Sequence, residues 1–181
     1  MSNTMIFIRT LLFSFLVGAG LLFQSAAPAF GQSDILLQLR GGKYVLDHSA
    51  SDRIDQAIQT AVIGLPDPSS MVWYLKNTNT PSEHVVLTLA TNEVNVKFDS
   101  QGPLRSPING QAVRWTREGG KKYNLTSRVE RGILVQTLTR DGETITRTYT
   151  EDAKGLTVRV EVTSPRLPQP LIYKLVYNRA S

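Results

Sequence analysis

Arg147 and a set of aromatic side chains are the residues whose chemistry asks for an explanation first. Arg147 sits in the run ETITRTYT, on the face of Ile145 and Tyr149 and opposite Thr144, Thr146, Thr148 and Thr150. A guanidinium in such a place is either an internal partner for an anion or an ordinary exposed arginine. Trp73, Trp115, Tyr149, Tyr173 and Tyr177 combine apolar bodies with polar tips. They suit the wall of a ligand cavity, although aromatics in strands also serve as core and cross-strand packing.

Other chemistries find too few residues. His48 and His84 are the two histidines and there is no cysteine, so neither a metal-ligand set nor a catalytic dyad is expected. Asp141 and Glu143 flank a glycine where an aspartate serves the backbone of a turn, which argues against a glycosidase-type pair. Asn124-Leu125-Thr126 matches a glycosylation acceptor but falls inside a strand pattern. The sequence therefore predicts no enzyme, no cofactor and no metal.

The elements that must position Arg147 and the tyrosines lie between residues 121 and 177. Alternate residues of a strand face opposite sides of a sheet, so a half-buried strand alternates apolar with polar. Residues 155–163 set Leu156, Val158, Val160 and Val162 against Thr157, Arg159, Glu161 and Thr163. The last run sets Leu171, Tyr173, Leu175 and Tyr177 against Ile172, Lys174, Val176 and Asn178, and the threonine row of residues 143–150 is β-branched, which disfavours helix. Two further runs, 123–130 and 133–140, precede it. Gly119-Gly120, Arg131-Gly132, Asp141-Gly142, residues 153–155 and residues 165–170 punctuate these runs. Asp-Gly between alternating runs signals a hairpin, because primed turns need positive φ. Connections this short make neighbouring strands antiparallel.

Upstream, residues 84–90 and 93–98 form a hairpin around Thr91-Asn92, residues 111–117 a strand, and residues 42–47 a short first strand. Residues 102–110 read as a loop and residues 71–76 as either strand or short helix. One helix is clear. In residues 51–63, Ile54, Ala57, Ile58, Ala61 and Val62 make a single apolar stripe, with Ser51 as the expected N-cap and Gly64 and Pro66 as the stop. A meander of about eight to ten strands leaves two open edges unless it closes into a barrel.

Residues 1–31 read as a secretory signal peptide. Arg9 precedes an apolar core at residues 11–23, and small residues allow cleavage after Ala29 or Gly31. That core is shorter than the roughly 20 residues of a spanning helix, so no stable membrane span is expected after cleavage. Residues 32–181 then form one domain, secreted or periplasmic, that relies on packing because it has no disulfide. The chain carries a formal charge of +5 with charges interleaved, apart from Arg114, Arg117, Lys121 and Lys122. That group reads as a solvated hairpin, with an anionic partner such as a lipid headgroup as the alternative, and no nucleic-acid partner is predicted.

The order EVNVKF, SPINGQ, KYNLTSRVERGILVQTLTRDGETITRTYT, GLTVRVEVT and LIYKLVYNR resembles the calycin superfamily of fatty-acid-binding proteins and lipocalins over about 90 residues. The resemblance implies an antiparallel up-and-down β-barrel enclosing a hydrophobic or amphipathic small molecule or lipid, and here one amphipathic helix near the N-terminus stands where the fatty-acid-binding proteins carry a helix-turn-helix lid. It also implies an acid group held by arginine and by an Arg-x-Tyr pair on the last strand. Here the tyrosine of that pair corresponds to Tyr177, Leu175 stands in place of its arginine, and the other arginine maps to Arg147 or, shifted by one, to Thr148. The alternative expectation is a structural or protein-interaction barrel of the cell envelope with its core filled by its own side chains.

Overall fold

A computed structural model of the chain describes residues 39–99 and 101–180, so the expected signal segment lies outside the described residues. Ten strands and two helices follow one another. β1 (Gly42–Leu46) leads into α1 (Ile54–Ala61) and α2 (Ser69–Thr78), and then come β2 (His84–Leu89), β3 (Glu93–Phe98), β4 (Gln101–Pro107) and β5 (Val113–Thr116). β6 (Lys122–Glu130), β7 (Ile133–Arg140), β8 (Glu143–Glu151), β9 (Gly155–Thr163) and β10 (Leu171–Arg179) complete the chain. The order in the sheet is β4-β3-β2-β1-β10-β9-β8-β7-β6-β5, antiparallel throughout. This is the expected up-and-down barrel, with β1 joining β10 and, among the described residues, β4 and β5 left as its unpaired edges.

Side chains close that remaining seam. Trp115 Nε1 of β5 donates to the Pro103 carbonyl at 3.0 Å, Gly110 N donates to the Ser127 carbonyl at 2.9 Å, and the Ser106 and Ser127 hydroxyls meet at 2.5 Å. Gln136 of β7 reaches the Leu104 carbonyl at 3.4 Å. Strand β4 thus lies close against β6 and β7 instead of standing off from them.

Turn chemistry sets the register of the meander. The tight turns between β6 and β7 and between β7 and β8 place Arg131 and Asp141 at φ 51° and 48°, each followed by a glycine at positive φ. These are the two positive-φ positions that a primed hairpin turn demands. Strands β6 to β10 consequently pair with regular antiparallel registers.

Two expectations change, and one open choice is decided. Residues 102–110 are not all loop, because β4 occupies most of them and accommodates Pro103 as an edge strand. Of the two options at residues 71–76 the structure has the helix: they lie in α2, which buries Leu75. Ser51 does not cap α1: its Oγ accepts from Val176 N at 2.9 Å, and the Asp52 carboxylate accepts from Lys174 N at 2.7 Å. Both residues pin the helical segment to β10, and Arg53 occupies the cap position without a side-chain bond.

Candidate functional site

The hairpin registers stack the inward residues in layers around the barrel wall. One layer runs Leu138, Ile145, Val162, Leu171, and another runs Leu134, Tyr149, Val158, Leu175. Between them lies a polar layer: Ser127, Gln136, Arg147, Val160 and Tyr173 are successive partners across β6 to β10. Ser106 of β4 joins it across the seam. Arg147 therefore lies on the inward side of β8 and not on its outer face.

Arg147 is half-buried with its guanidinium 4.7 Å from the centre of the Phe98 ring. The Gln101 side-chain oxygen, turned toward it, accepts from both terminal nitrogens at 3.0 and 3.1 Å. Among the described residues, none of the ion pairs includes Arg147. A cation held in a partly desolvated place by an amide and a ring face retains capacity for an oxyanion.

Three tyrosines surround this layer or cap it. Tyr149 is buried and its hydroxyl donates to Gln136 Oε1 at 2.9 Å, while Gln136 Nε2 donates to Ser127 Oγ at 3.0 Å. Burial pushes the Tyr149 hydroxyl up to about 12, with the Arg147 charge pulling the other way. Tyr173, also raised to about 12 by burial against the pull of Arg147 and Arg117, donates to Asn79 Oδ1 at 3.3 Å just beyond the end of α2. Tyr177 is fully buried, and its hydroxyl has no hydrogen-bond partner. Burial is the first cause of its raised pKa, and the nearby Tyr149 and Tyr173 add to it. An unpartnered buried hydroxyl costs about 1–3 kcal/mol. Away from this layer, Tyr44 in the middle of β1 lies in register with Arg179 and is raised to about 12 by burial and by Glu151.

The expected aromatics do not all converge. Tyr149, Tyr173 and Tyr177 share the interior with Arg147. Trp115 packs tilted against Tyr123, ring centres 5.9 Å apart, and serves the seam. Trp73 is 70% exposed on the outer side of α2. The residues that sequence reasoning did not single out are Gln136, Gln101, Ser127 and Asn79. Gln136 had a signal, since it alternates in phase with Leu134 and Leu138. Gln101 and Asn79 had none, because they stand in stretches without period.

Leu125, Leu134, Val94, Val96, Leu104, Leu156 and Leu171 are each at 0% exposure, so these inward side chains are fully covered. The histidines make surface pairs only, His48 with Glu83 at 3.1 Å and His84 with Asp99 at 2.8 Å. Among the described residues no group of histidines and carboxylates is placed to hold a metal, and no helix is long and apolar enough to cross a membrane.

No family pattern and no curated protein matches the sequence. Solved structures do match the fold. A fatty acid transporter, REP1-NXSQ, superposes with a TM-score of 0.51 at 12% identity over 77% of this chain and 95% of its own. Echinococcus granulosus fatty-acid-binding protein 1 gives 0.51 at 9% identity over 77% of this chain and 96% of its own. The Schistosoma mansoni fatty-acid-binding protein in complex with arachidonic acid gives 0.50 at 17% identity over 83% of this chain and 99% of its own. Ten antiparallel strands in up-and-down order, two helices between the first and second strands, and these superpositions together establish that the chain has the calycin fold of the fatty-acid-binding proteins.

Proposed function

We propose that the protein is an exported, non-catalytic binder of a small amphipathic molecule with an acidic head, secreted or periplasmic in location. One observation carries the reading: Arg147 lies on the inward side of the barrel, half-buried and, among the described residues, without a carboxylate partner. A carboxylate entering the polar layer would pair with the guanidinium, displacing Gln101 from it. The fold's neighbours, described as fatty-acid-binding proteins and a fatty acid transporter, support the same class of ligand. Capture would rest on desolvating the apolar part of the ligand, at about 25 cal/mol per Å² buried, with Arg147 setting its orientation.

The test is native mass spectrometry, without detergent, of the mature protein from its own host, followed by titration with fatty acids. A stoichiometric apolar molecule that Arg147→Leu binds about tenfold or more weakly is the expected result. A clean mass that fatty acids do not change would overturn it. The second reading, a barrel filled by its own side chains that acts through surface contacts, is favoured by the fully covered inward side chains. Under that reading Arg147→Leu leaves every lipid titration flat, and the wild type does the same.

A further inference from the structure

The basic hairpin of the sequence gains partners in space that the sequence did not place beside it. A cleft of about 410 Å³ at the mouth of the barrel is lined by Tyr74 of α2, Lys121 just before β6 and Tyr123 at its start, Arg140, Asp141 and Glu143 at the β7–β8 turn, and Arg166 after β9. Lys121 Nζ stands 5.3 Å from the centre of the Tyr74 ring and the Arg166 guanidinium 5.1 Å from it. Both cations are exposed, and among the described residues neither takes part in an ion pair.

The two carboxylates of the cleft are already engaged. Asp141 pairs with Arg140 at 2.8 Å, and Glu143 accepts from the Tyr74 hydroxyl at 3.0 Å and from Tyr123 at 3.4 Å. A second cleft shares Lys121, Arg140 and Asp141 and adds Arg114 and Lys122. Positive charge therefore exceeds negative charge across the pair of clefts, and two of its cations, Lys121 and Arg166, flank one tyrosine ring.

We propose that this cleft is a binding site for a phosphate-class oxyanion, with Lys121 and Arg166 as its charged ligands. The concave wall brings together two donors that are far apart in sequence, and the Tyr74 ring orders both cations before any anion arrives. Arg166 offers a planar fork and Lys121 a point charge, the pairing that suits a tetrahedral oxyanion. The site lies outside the polar layer of the barrel and does not depend on lumen binding, because a phosphate has no apolar part to place there.

The experiment is an amide NMR titration of the mature chain with inorganic phosphate, run beside sedimentation with phosphatidylglycerol and with phosphatidylcholine vesicles. Saturable shifts around Tyr74, Lys121 and Arg166, weakened about tenfold or more in Lys121→Gln/Arg166→Gln and unchanged in Lys97→Gln, are expected. Phosphate binding without vesicle binding identifies a free anion, whereas pelleting with phosphatidylglycerol alone, lost in the double variant, identifies a lipid headgroup. The single variant Lys121→Gln, with an intermediate loss, separates charge removal from misfolding. Absence of binding in both arms, or equal binding by wild type and double variant, would overturn the proposal.

Discussion

Single hydroxyls inside the barrel differ in what they cost, and the difference is measurable. Tyr149 and Tyr177 are both fully buried, yet only Tyr149 has a partner, Gln136. Tyr149→Phe leaves Gln136 Oε1 unpaired and is expected to lower stability by about 1–2 kcal/mol. Tyr177→Phe removes an orphan and is expected to leave stability unchanged or raise it by up to about 1 kcal/mol. Denaturant unfolding of the two variants decides between these outcomes; equal losses would mean that the Tyr177 hydroxyl is partnered after all. If Tyr177 instead helps hold a ligand head, the same variant binds less tightly while folding no worse. At this scale the sequence was partly legible. The alternation of β8 and β10 put Arg147, Tyr149, Tyr173 and Tyr177 on the faces they occupy, because a period of two leaves little choice once one face is apolar. It could not show that Gln101 would meet Arg147, since that contact joins positions on β4 and β8 that are 46 residues apart.

At the scale of elements, close approach and turn geometry make two opposite predictions. A Cβ at Gly155 would stand 2.0 Å from the Tyr177 carbonyl oxygen, between the first residue of β9 and its neighbour β10. Gly155→Ala must push these strands apart and is expected to cost about 3 kcal/mol or more, read as a fall in melting temperature. Arg131 holds φ 51° in the β6–β7 turn, where a non-glycine residue is strained. Arg131→Asn suits the left-handed region better and is expected to stabilise by about 0.5 kcal/mol. The hairpins β6 to β10 were legible because each has two strong signals, an alternating face and a glycine turn. Two elements were not, for opposite reasons. β4 is an edge strand, so Pro103 and Gly102 are tolerated there and obscure the strand pattern. α2 buries only Leu75 fully, so it lacks the apolar stripe that revealed α1. Its position is set by tertiary bonds instead: Arg117 donates to the Thr78 carbonyl at 2.8 Å and Tyr74 donates to Glu143.

At the scale of the whole molecule, the barrel was readable but its interior volume was not. Whether inward rows leave a hollow depends on how closely opposite walls approach, and here Ser106, Ser127 and Gln136 draw β4 onto β6 and β7. That closure gives the fold a distinctive response to alkali. Tyr44, Tyr149 and Tyr173 are each raised from 10.0 to about 12, and Tyr177 is raised as well, with burial the leading cause every time. A raised folded pKa means that the unfolded chain gives up its phenolic protons first. The stability these neutral hydroxyls provide is complete below pH 10 and is lost as pH climbs toward 12. Unfolding should therefore be cooperative within that window, with tyrosinate absorbance and loss of strand signal rising together. If lumen filling is instead loose and water reaches the phenols, tyrosinate forms near pH 10 in the still-folded barrel, ahead of any loss of structure. A ligand in the polar layer that buries Tyr177 further would shift the coincident transition to higher pH, so one titration reports on packing and, repeated with fatty acid present, on occupancy.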